Sequence, residues 1–91
     1  MTLNRLRKEI DRIDLHLLKL LNRRAVFAQR IGGLKEEKGL PIFDGKREDS
    51  VLRRMIRANP GPLSTAAVRG IFREILSHNR RLQKKGSRRS E

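Results

Sequence analysis

From Leu3 to Leu34, apolar side chains recur at alternating steps of three and four: Leu3, Leu6, Ile10, Ile13, Leu17, Leu20, then Phe27, Ile31 and Leu34. That spacing predicts one long amphipathic helix with a coiled-coil-like seam, running from Thr2 or Leu3 to about Lys38. One position breaks the series. Arg24 stands where a leucine belongs. A guanidinium in an apolar seam is costly unless an anion meets it. Its neighbours at helical spacing are Leu20, Leu21, Phe27 and Ala28, none of which can pair with it. The anion has to come from elsewhere in the fold, or from a ligand.

The rest of the chain reads as two shorter helices. Gly32-Gly33 is a weak point of the first helix, best explained by close packing against another helix. Gly39-Leu40-Pro41-Ile42-Phe43 forms a loop, since Pro41 disfavours helix at Leu40. Asp44 is placed to cap a second helix that ends near Ala58. Asn59-Pro60-Gly61-Pro62 stops it. Ser64 or Thr65 then opens a third helix to about Lys84, with Val68, Ile71, Phe72, Ile75 and Leu76 on its inner face. No strand pattern is present, so the fold class is all-α with three helices.

A helix from Leu3 to Lys38 would be roughly 54 Å long at 1.5 Å per residue. A compact domain of this size has a radius of gyration of about 12 Å. The rod has to overhang its own domain, yet its apolar stripe continues along nearly the whole length. A second copy of the chain is the simplest cover, which predicts an intertwined homodimer.

Further polar residues sit on faces that should be apolar. Lys35 follows Arg24 by eleven residues, about three turns, so both point the same way. The plain alternative is a solvated lysine near a helix end. Arg47 and Glu48 precede Val51 and Leu52 by one turn, and so face inward; the alternative is a first-turn ion-pair cluster with Asp44. Asn79 and Gln83 extend the inner stripe of the third helix, unless that stripe simply ends there. Taken together, all three helices break the apolar rule in the same way, and such breaks tend to mark function. The set is rich in cations and amides, with no nucleophile–base pair, no Gly-rich phosphate loop and no ligand-like spacing of His16 and His78. It suits binding and shaping an anion.

Composition bounds the remaining classes. The 91 residues include 23 Lys and Arg against 10 Asp and Glu, a net charge of +13, with no cysteine and three Phe as the only aromatics. There is no disulfide framework or thiolate site, and no stacking platform for single-stranded nucleic acid. No run approaches the length of a membrane span. Six Lys and Arg against one acid lie in residues 79–91. We read residues 1–85 as the domain and 86–91 as a basic, disordered tail, and expect a cytoplasmic protein.

The order Leu6-Arg7-Lys8-Glu9-Ile10-Asp11-Arg12-Ile13-Asp14, Leu20-Leu21-Asn22-Arg23-Arg24, Lys35, and Pro41-Ile42-Phe43-Asp44-Gly45-Lys46-Arg47-Glu48 resembles the all-helical AroQ class of chorismate mutases. The likeness covers about residues 3–84. It implies an intertwined dimer and the Claisen rearrangement of chorismate to prephenate, the branch step toward phenylalanine and tyrosine, with no cofactor and no metal. By resemblance, Arg24 and Arg7 of the partner subunit would bind substrate carboxylates, with Arg47 supporting that end. Lys35 and Gln83 would hydrogen-bond the ether oxygen, and Glu48, aided by the Asp44 backbone, would accept from the ring hydroxyl. Asn79 falls where the family often carries Ser. The sequence also fits the partner assignment: Arg7 precedes Lys35 by 28 residues, about 42 Å along a straight helix, so both cannot reach one small ligand within a chain. Two rivals stand beside this reading. One is an isochorismate pyruvate lyase of the same fold, which Glu48 after Arg47 disfavours. The other is a basic nucleic-acid-binding helical dimer, which leaves Arg24 in the seam unexplained.

Overall fold

A computed structural model describes residues 1–89, with side chains described through residue 84. The described residues form three helices: α1 (Leu3–Lys38), α2 (Gly45–Ala58) and α3 (Thr65–Arg89). Among the described residues there is no strand. The Thr2 side chain accepts from the Arg5 amide at 3.2 Å and so caps α1. At the far end Gly39 takes the left-handed conformation, φ 66°, and Leu40 N donates to Lys35 O at 2.8 Å. The Asp44 carboxylate caps α2 by accepting from Arg47 N at 3.0 Å. Ser64, rather than Thr65, caps α3, its hydroxyl accepting from Ala67 N at 3.1 Å.

α3 continues to Arg89, past the expected end near Lys84. The expected disordered tail, 86–91, lies outside the residues whose side chains are described, and residues 90–91 lie outside the description altogether.

α3 packs along α1 and also receives α2; α1 and α2 do not pack on each other. The face of α1 turned to α3 is not the leucine seam. It is the adjacent stripe, in which Ala28 and Gly32 are buried and Leu21 and Ala25 partly so. Small residues allow the two backbones to come close. A Cβ added at Gly32 would lie 2.5 Å from the Gln83 carbonyl oxygen, whereas one at Gly33 would meet nothing within 4 Å. The Gly-Gly pair thus contains one close-packing residue, Gly32.

The buried apolar core of the single chain is thin: Ala28, Val51, Val68 and Leu76. Of the expected inner face of α3, Ile71 is instead half-exposed. The seam of α1 lies open as well, with Leu3, Ile10 and Ile13 at 63, 56 and 61 % exposure. The longest dimension is 54 Å and the radius of gyration 16.3 Å, so α1 overhangs as its length requires.

Candidate active site

Where α1 and α2 face each other across α3, they leave a cavity of about 430 Å³. α1 lines it with Arg24, Phe27, Ile31 and Lys35, the loop and α2 with Ile42, Asp44, Arg47 and Glu48, and α3 with Asn79, Arg80 and Gln83. Seven of the eight expected site residues therefore converge. Arg7 does not: it is exposed on the overhanging part of α1, away from the cavity lining.

Arg24 projects into the cavity and donates to the Asn79 side-chain oxygen. Asn79 is buried, at 8 % exposure, in a neutral contact that leaves the guanidinium charge unbalanced. Desolvation by burial, and then the nearby positive Arg47, push the Arg24 pKa below its ordinary value. Among the described residues no anion is bonded to the misplaced charge. Instead a second cation stands beside it.

Lys35 is placed by two contacts. Its Nζ donates to the Ile42 carbonyl at 2.7 Å and to Gln83 Oε1 at 3.2 Å. The first ties the 39–44 loop to α1. The second fixes Gln83 with its oxygen occupied and its NH₂ available to donate. An ammonium has three donors, so one remains for a ligand. Among the described residues, Arg24 and Lys35 thus meet neutral acceptors only.

The two carboxylates of the lining are committed elsewhere. Asp44 caps α2. Glu48 accepts from Arg80 Nη1 at 3.1 Å through Oε1 and 3.0 Å through Oε2. The ion-pair cluster weighed for Asp44, Arg47 and Glu48 is therefore replaced by a backbone cap and a cross-helix bridge. Arg80 is the residue that sequence reasoning missed. It lies four residues after Leu76 and three before Gln83, on the inner face of α3, so helical spacing could have found it. Within Asn79-Arg80-Arg81-Leu82-Gln83-Lys84-Lys85 it looked like one more surface charge.

A cavity lined by cations and amide side chains and held on three helices has the chemistry to take a small carboxylate ligand. Comparison with known proteins gives the family. Residues 6–84 match the model of chorismate mutase type II. The chain is 44 % identical over 87 residues to a bifunctional chorismate mutase/prephenate dehydratase of Aquifex aeolicus, covering 91 % of this chain and 24 % of that protein. It thus spans about a quarter of that relative's length. A chorismate mutase from Thermus thermophilus superposes with a TM-score of 0.87 at 40 % identity, covering 89 % of this chain and 92 % of the other. A chorismate mutase from Helicobacter pylori, solved in complex with prephenate, also gives a TM-score of 0.87, at 31 % identity and covering 96 and 94 % of the two chains. The chain belongs to the chorismate mutase type II family. Chorismate mutase, an isomerase, is the activity this membership supports. Among the described residues no helix is long and apolar enough to cross a membrane.

Proposed function

We propose that residues 1–85 form a catalytic domain that rearranges chorismate to prephenate in the cavity between the helices. The observation that carries the reading is the pairing of Arg24 and Lys35 with neutral acceptors only. Two cations kept inside a cavity with no carboxylate bonded to either suit a substrate that brings carboxylates of its own.

The rearrangement is pericyclic: the ether C–O bond breaks as a C–C bond forms, with no group transferred to the protein. The protein has two tasks. It holds the substrate in a compact conformer with the reacting carbons close together, and it stabilises charge that grows on the ether oxygen. Arg24 and Arg47 grip the carboxylate end. The third N–H of Lys35 and the NH₂ of Gln83 donate to the ether oxygen. Glu48 has lone pairs beyond those facing Arg80, and accepts from the ring hydroxyl. The Asp44 backbone lies beside that end. Asn79 keeps its NH₂ for a substrate carboxylate while its oxygen positions Arg24. Phe27, Ile31 and Val51 supply an apolar wall.

The reading includes a homodimer with sites shared between chains. The open seam of α1 supports it: a half-exposed row of leucines and isoleucines along a helix that overhangs its own core is a surface shaped for another such helix. In that arrangement Arg7 of the partner subunit completes the carboxylate grip. The reaction is taken to be cytoplasmic, which fractionation of cells producing the protein would test.

Incubation with chorismate tests the activity directly. Prephenate should accumulate; release of pyruvate from isochorismate, with no prephenate from chorismate, would replace the mutase with a lyase. Mixing inactive Arg7→Ala and Arg24→Ala chains tests site sharing. Heterodimers should regain activity through the one site that holds both arginines, and mixed dimers that stay inactive would refute sharing.

A further inference from the structure

Arg80 has no part in the roles above, yet it joins three pieces of the site. Its Nη1 reaches both carboxylate oxygens of Glu48, the first acidic residue of α2. Its guanidinium carbon lies 5.1 Å from the centroid of the Phe43 ring, in the loop that leads into Asp44. On α3 it falls between Asn79, the acceptor of Arg24, and Gln83, the acceptor of Lys35. Both partners of the Glu48–Arg80 bridge are partly buried, with side chains 24 and 31 % exposed. Water therefore screens the pair less than it would on the surface.

The geometry has a second aspect. Glu48 shares the cavity wall with Arg24 and Arg47. A glutamate released from Arg80 has rotatable bonds enough to turn toward either cation. It would then occupy the groups that a substrate carboxylate needs. We propose that Arg80 is a positioning residue that acts through Glu48. It sequesters the carboxylate from Arg24 and Arg47 and aims it at the ring hydroxyl. Stacking on Phe43 fixes the guanidinium plane that does so. This rests on the reading that the cavity takes chorismate and that Glu48 receives its hydroxyl.

The proposal predicts strong coupling between the two side chains. Arg80→Ala should raise KM about tenfold, the scale of losing one charge-assisted contact, with a smaller fall in kcat. In a Glu48→Gln background there is no carboxylate to misdirect, and the same Arg80→Ala change should cost less than about threefold. Arg80→Lys keeps the charge but loses the planar face and the fork, and should fall between wild type and Arg80→Ala. The four combinations are assayed for turnover and, by calorimetry, for prephenate affinity, so a slow Glu48→Gln enzyme still reports. Helicity is checked by circular dichroism, and Arg80→Gln replaces Arg80→Ala if the latter unfolds.

Equal losses from Arg80→Ala in both backgrounds would overturn the proposal, since Arg80 would then act on the substrate or on the fold without Glu48. A wild-type protein that neither turns over chorismate nor binds prephenate would instead defeat the functional reading beneath it.

Discussion

Along α1, the stretch from Leu3 to Leu20 and the stretch from Arg24 to Lys35 share one repeat but differ in what answers it. The first is a row of half-exposed apolar side chains that neither α2 nor α3 covers. The second carries the two site cations and the buried Ala28 and Gly32 that bring α3 close. One helix thus has two parts in succession, an open apolar row and then a wall of this chain's own cavity. Arg24 marks the change. The repeat is the same before and after it, so periodicity alone does not tell an assembly surface from a site.

The sharpest way to break this contrast is to charge the first stretch. Ile13→Asp should leave the packing of α3 on α1 intact, since Ile13 is 61 % exposed within the chain. A two-fold interface would contain the change twice, at about 2 kcal/mol for each lost apolar burial. The dimer dissociation constant should therefore rise about 1,000-fold, read by sedimentation as a halved mass. An unchanged mass would mean that the seam is not the interface.

Lys35→Ala probes the second stretch. We expect helicity and dimer mass to persist while kcat falls at least ~100-fold, the scale of removing one preorganised donor at a developing charge. Near-normal turnover would remove Lys35 from the ether oxygen.

Gly32→Ala and Gly33→Ala refine the comparison to neighbouring residues. The first places a methyl against the Gln83 backbone, which cannot swing aside as a side chain would. Overpacking should cost about 1–3 kcal/mol in denaturant unfolding and lower activity, because α3 carries Asn79 and Gln83. The second meets open space in this chain. It should stabilise α1 by up to ~1 kcal/mol through helix propensity. A loss at Gly33 equal to that at Gly32 would show that a second chain packs there.

Much of this was legible in the sequence because it depends on local rules. The Asp44 cap, the stop at Asn59-Pro60 and the helical period each follow from a few adjacent residues. Arg24 and Lys35 were recognisable because a cation inside an apolar stripe is conspicuous. The partners were another matter. Arg24 meets Asn79 across 55 residues and Glu48 meets Arg80 across 32. Those pairings depend on how α3 is rotated and seated against α1 and α2. The stripe that packs within the chain is distinct from the leucine seam for a related reason. Hydrophobicity points to the leucines, whereas close approach of two helices within one chain selects Ala28 and Gly32. Arg80 was hidden by composition, since one site arginine in a run of basic residues has no local mark.

Because α3 alone spans both α1 and α2, Asn79, Arg80 and Gln83 are set by a single rotation. One residue inserted into α3 between Val68 and Asn79 would turn all three by about 100°, and Arg24, Glu48 and Lys35 would lose their partners together. The connector from Asn59 to Ser64 carries no such constraint, because it lies outside the helical register. Length should therefore be free to vary in that connector and be held fixed in the adjoining half of α3, a pattern of insertions and deletions that would reveal the site even where every side chain had changed.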